Sequence, residues 1–81
     1  MNNNNSVIEY KNYGKIKIRL SNVLDAQHVS RYSLAKLTGI RYEVINKWYS
    51  GNVERADLDV LAKLCFALNC SVTDILVYNC D

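Results

Sequence analysis

Apolar residues return along this chain at helical spacing in a series of short runs separated by polar punctuation. Leu20, Val23 and Leu24 share one face of a first helix, about Leu20 to Gln27. Ser30 is a good N-cap for a second helix, Arg31 to Thr38. A third runs from about Tyr42 to Tyr49 and stops at Gly51. Asp57 can cap a fourth, Leu58 to Leu68, with Leu58, Leu61, Ala62, Cys65 and Leu68 as its apolar stripe. Ser71 or Val72 opens a short fifth helix through Leu76. Ahead of them all, Lys15 to Arg19 alternates basic and apolar residues, the period of a very short strand, and is expected to pair with residues near Leu76–Tyr78. Residues 1–14, MNNNNSVIEYKNYG, are polar and Asn-rich, and are expected to be a disordered tail ahead of one domain at 15–81. The pattern predicts an all-α, five-helix domain with a possible short N-terminal strand.

The segment Arg31 to Ser50, RYSLAKLTGIRYEVINKWYS, narrows this further. Ala35 is small where a second helix has to cross the first. Gly39, four residues on, sits where the chain needs positive φ to leave the second helix. Leu34, Ile40, Ile45 and Trp48 can then form one apolar seam between two short helices. Trp48 belongs to that seam rather than to a stacking platform. Two helices joined this way form a helix-turn-helix, whose second helix fits the major groove of B-DNA.

Charge agrees with this placement. The net charge of +2 argues little by itself, but its distribution is uneven. Residues 30–55 carry five Lys/Arg against two Asp/Glu, whereas 56–81 carry one against four. The positive part surrounds the candidate reading helix. Cys65, Cys70 and Cys80 form no CxxC pair and lie far from the single His28, so no metal site or other cofactor is expected. The chain shows neither a secretory signal nor an apolar run of membrane length, and a reduced cytoplasmic setting is expected. Enzyme chemistry is not expected, because the chain has one His, no Gly-rich phosphate loop and no nucleophile–base pair.

On the third helix, Tyr42, Glu43, Asn46 and Lys47 point away from the seam, with Val44 at its flank. Asn46 can pair with adenine, Lys47 can donate to guanine or to phosphate, and Glu43 can accept from cytosine. Tyr42 or Val44 could meet a thymine methyl. Arg31, Lys36, Arg41, Asn52 and Arg55 are the expected phosphate contacts, which position without reading sequence. An ordinary solvated helix face would be polar in the same way.

Residues 16–78 resemble the Cro/repressor-type helix-turn-helix proteins, also called the xenobiotic-response-element family. The phrases SRYSLAKLTGI, INKWYSG and LDVLAKLCFALNCSVTDIL carry the resemblance. It implies a DNA-binding regulator of transcription, expected to be a repressor, of a kind that usually binds a two-fold-related operator in double-stranded DNA as a homodimer, with pairing only on DNA as the other option. Thr38 stands where the family often has a bulkier apolar residue, and Arg41 where it often has Ser or Thr. For the dimer, the run Ile75-Leu76-Val77-Tyr78 is the candidate interface, with closure of the core as the competing use. The alternative function is an antitoxin or other protein-interaction module on the same fold.

Overall fold

The computed structural model describes residues 13–80. The expected tail therefore lies outside the described residues, apart from Tyr13 and Gly14. Five helices follow a short strand: β1 Lys15–Ile18, α1 Leu20–Gln27, α2 Arg31–Thr38, α3 Tyr42–Ser50, α4 Leu58–Leu68, α5 Val72–Ile75 and β2 Leu76–Asn79. The helices match the sequence expectation to within a residue, except that α5 ends at Ile75 and Leu76 already belongs to β2.

β1 and β2 are antiparallel, with Ile16 opposite Tyr78 and Ile18 opposite Leu76. The pairing closes the two ends of the domain on each other. The Arg19 amide donates to Ile75 O at 2.6 Å, and the Tyr78 hydroxyl donates to Tyr13 O at 2.6 Å. Gly14 has φ of +84°, and a Cβ there would run into Asn79 O and Cys80 Cα.

Local chemistry sets the helix ends. The Ser30 hydroxyl accepts the Ser33 amide at 3.0 Å, and Asp57 Oδ1 accepts the Asp59 amide at 2.9 Å. Ser71 and Asp74 form a reciprocal capping box on α5. Gly39 and Gly51 leave α2 and α3 at positive φ, as expected. His28 and Asn69 do the same for α1 and α4 without being glycine. After α1, α3 and α4 the next two amides turn back onto the last turn. Val29 N bonds Leu24 O, Asn52 N bonds Lys47 O, and Cys70 N bonds Cys65 O, at 2.9 to 3.0 Å. These are Schellman closures, which bring together the side chains of each bonded pair.

The core is Leu20, Leu24, Leu34, Ile40, Ile45, Trp48, Leu61, Leu64, Leu68 and Ile75. The expected seam of Leu34, Ile40, Ile45 and Trp48 is buried, with Ala35 half-buried beside it. The expected stripe on α4 needs correcting. Leu61 and Leu68 face inward as expected, but Leu64 is the residue buried between them, Cys65 is half-buried, and Leu58 and Ala62 are exposed. Nine of the eleven residues in LDVLAKLCFAL are apolar, so periodicity alone cannot select the buried face. The packing of α4 against α2 and α5 selects it. The C-terminal run also works inside the domain: Ile75 is fully buried, Leu76 and Val77 are half-buried, and Tyr78 lies exposed on β2.

Candidate nucleic-acid interface

α3 presents two unlike faces. Ile45 and Trp48 anchor it in the core, while Tyr42, Glu43 and Lys47 are exposed and Val44 and Asn46 are half-buried. The five candidate base-reading residues therefore lie on or beside the outer surface of one helix. α3 has no side-chain cap at Arg41, whose guanidinium instead lies 4.0 Å from the Glu43 carboxylate. Both groups are exposed, so this contact adds little stability, but it holds a cation and an anion at the start of the helix.

The turn into α3 uses Thr38 in a way the sequence did not disclose. Its hydroxyl donates to Leu34 O at 2.8 Å and accepts the Ile40 amide at 3.1 Å. The Gly39 amide bonds back to Ala35 O at 2.9 Å. A bulkier apolar residue at position 38 would leave the Ile40 amide to find another partner. Thr38 thus ties the last turn of α2 to the first residue after Gly39.

Arg31 and Asn46 meet across the two helices. Arg31 Nη1 donates to Asn46 Oδ1 at 3.0 Å, and the guanidinium lies 4.4 Å from the centroid of the Tyr49 ring. The sequence placed Arg31 with the phosphate contacts and Asn46 with the base readers. The structure brings them into one unit with Tyr49 as its platform. An Asn Oδ1 that accepts from Arg31 keeps one lone pair, and its Nδ2 keeps both donors, so a pair with adenine remains open. The ring stacking and the hydrogen bond hold Arg31 at the seam between α2 and α3.

The remaining expected phosphate contacts fall in two places. Asn52 and Arg55 line an open cleft of about 850 Å³ together with Val44, Lys47, Trp48 and Glu54. The Schellman closure of α3 fixes the backbone at Asn52. Glu54 in the same cleft limits its positive character. Lys36 lies elsewhere on α2, with Nζ 5.4 Å from the ring centroid of Tyr32. Tyr32 is 65 % exposed one residue into α2 and was not among the residues expected at the interface. Its only signal was an aromatic residue just after a helix cap.

Among the described residues there is no cluster of three or more His, Cys, Asp or Glu side chains able to hold a metal ion. No helix among them is long and apolar enough to cross a membrane.

A model of the Cro/C1-type helix-turn-helix DNA-binding domain matches residues 19–81. The chain belongs to that family. Its Cro/C1-type fold is shared with solved structures of low sequence identity. A Bacteroides fragilis protein inferred to bind DNA is 24% identical with a TM-score of 0.69, over 78% of this chain and all of that one. The transcriptional regulator VanUg is 22% identical with a TM-score of 0.68, over 89% and 95%. A prophage Lp1 protein, protein 11, is 20% identical with a TM-score of 0.56, over 91% and 87%. A search of curated proteins gave no significant match. In a Cro/C1-type domain, α2 and α3 form the helix-turn-helix.

Proposed function

We propose that this Cro/C1-type domain is a sequence-specific transcriptional repressor that acts without catalysis, in the cytoplasm, as a homodimer on a two-fold-related operator. The observation that carries the reading is the division of α3. Ile45 and Trp48 hold the helix to the core, and Tyr42, Glu43 and Lys47 remain exposed, with Asn46 held at the edge by Arg31. A surface of that kind offers donors, acceptors and an aromatic ring to base edges in the major groove. Tyr42, Glu43, Val44, Asn46 and Lys47 would read bases. Arg31, Lys36, Arg41, Asn52 and Arg55 would meet phosphates and carry the salt dependence.

A single reading helix makes few contacts, and specific binding typically needs an affinity of about 10⁻⁸ M or tighter. Two copies double the contacts and require half-sites about 34 Å apart, one turn of the duplex. Occupying such a site excludes other proteins from it, which is the simplest route to repression.

Selection of bound sequences from random duplex DNA tests this reading. The expected product is an inverted repeat with half-sites about one helical turn apart. Enrichment of no sequence over the starting pool would overturn it.

A further inference from the structure

The outer face of α4 carries apolar residues that none of the described residues covers. Leu58 is 76 % exposed and Phe66 is 90 % exposed, with exposed Ala62 midway between them. Their spacing of four puts all three in one line along the helix. Leu37, 70 % exposed at the end of α2, lies beside it across a shallow groove of about 300 Å³ lined by Leu37, Thr38, Ala62, Lys63, Phe66 and Ala67. A small soluble domain rarely leaves an apolar patch of this kind open without use.

The order of residues along α4 says what fits. The strip reads large, small, large. One flank carries Asp59 and then Lys63, with Lys63 Nζ 3.2 Å from Asp59 Oδ2. A second α4 laid antiparallel across the first, with the two-fold axis at Ala62, sets Leu58 of each copy against Phe66 of the other. The small Ala62 side chains at the crossing let the helices approach. In the same arrangement the flanks meet on one side. Asp59 then comes within reach of Lys63 of the second copy, and Lys63 within reach of its Asp59. A parallel arrangement loses this match. The face is complementary to itself in both shape and charge, as a two-fold interface has to be.

We infer that α4 is the surface through which two copies of this chain pair, antiparallel about Ala62. The inference deepens the homodimer reading above, and it moves the interface away from the C-terminal run, which is occupied by the core and by β1.

Sedimentation of the full chain without DNA tests the pairing directly. The expected result is a concentration-dependent dimer. Phe66→Asp weakens it by about thirtyfold or more, as replacing a buried aromatic anchor by a charge does. Leu58→Glu acts in the same direction. Asp59→Lys or Lys63→Asp alone weakens association, and the double exchange restores it. In a chain whose three native cysteines are replaced by alanine, Ala62→Cys oxidises to a covalent dimer. Phe66 and Leu58 are so exposed that the folded monomer persists in the variants, which circular dichroism checks. A wild-type chain that stays monomeric at about 100 μM, alone and on a duplex carrying the selected inverted repeat, overturns the inference. So does a dimer that survives Phe66→Asp, or one that forms without cross-linking through Ala62→Cys. Binding of Phe66→Asp to a single half-site measures the DNA reading separately, since that variant leaves α3 intact.

Discussion

α3 and α4 are neighbours in the chain with opposite outer faces. α3 buries Ile45 and Trp48 and turns Tyr42, Glu43 and Lys47 outward. α4 buries Leu61, Leu64 and Leu68 and still turns Leu58, Ala62 and Phe66 outward. The inner faces do the same work in both helices. The outer faces differ in chemistry, polar and charged on α3 but apolar along Leu58, Ala62 and Phe66 on α4. Core packing therefore does not account for Leu58, Ala62 and Phe66 of α4, whereas in α3 it accounts for Ile45 and Trp48 and leaves Tyr42 outside.

The largest expected effect separates inner from outer positions. Leu34→Ala or Ile45→Ala should destabilise the domain by about 2–5 kcal/mol, because each side chain is fully buried at the α2–α3 seam. Leu58→Ala and Phe66→Ala should leave the monomer within about 0.5 kcal/mol of wild type. Urea unfolding at a concentration low enough to hold the monomer measures both. Equal losses at inner and outer positions would break the comparison.

On the outer face of α3, Asn46→Ala or Lys47→Ala should alter which sequence is preferred, by about 1–3 kcal/mol at the base concerned. Arg55→Ala should weaken all sequences alike and reduce the salt slope by about one unit. Arg31→Ala should do both, because its guanidinium holds Asn46. Competition binding over a salt series resolves the three patterns. An Arg31→Ala variant that loses affinity with no change in preference would mean that the Arg31–Asn46 contact does not shape reading.

Next come the devices that end the helices. Ser30→Ala removes the cap on α2 and should cost about 1 kcal/mol. Gly39→Ala should cost a comparable amount, about 1 kcal/mol, from positive φ alone, since a Cβ there meets nothing within 4 Å. Gly14→Ala adds a collision with Asn79 O to the same backbone strain, and should therefore cost more than Gly39→Ala. Thermal unfolding of the three variants ranks them.

The smallest effect concerns Cys70, just past the end of α4. Burial pushes the Cys70 thiol above its ordinary value of 9.0, and the neighbouring Cys65 and Asp74 add to this. The folded state therefore holds that proton more tightly than the unfolded chain does. The resulting stabilisation is complete below the unfolded value and disappears as pH rises through the folded one. Melting temperature should fall across the alkaline range, and less so in Cys70→Ala. Exposed Cys80 should react with a thiol reagent before Cys65 or Cys70.

Much of this was legible because it is local. Ser30, Asp57, Gly39 and Gly51 mark helix ends through hydrogen bonds and φ values that involve only nearby residues. The α1, α3 and α4 closures were partly hidden. Gly51 signalled one of them, while His28 and Asn69 reach positive φ without the glycine that would advertise it. The seam was legible because Ala35 and Gly39 fix the crossing and the turn, and Leu34, Ile40, Ile45 and Trp48 then fall at the offsets that meet across it. The strand pairing was legible from the alternation in Lys15–Arg19 set against an apolar C-terminal run, and the observed register bears it out.

The chain by itself determined where the helices start and stop, which residues close the α2–α3 seam, and that the positive charge gathers around α2 and α3. Each of these depends on short-range backbone chemistry or on a pattern with a single solution. The tertiary structure alone decided which face of α4 is buried, because nine apolar residues in eleven permit several faces and only packing against α2 and α5 chooses one. It alone joined Arg31 to Asn46 and Tyr49, fifteen and eighteen residues apart in sequence, since side chains at that distance meet only once two helices have crossed. It also gave the Thr38 hydroxyl its place in the turn, because a hydroxyl's partners depend on where the neighbouring backbone is placed.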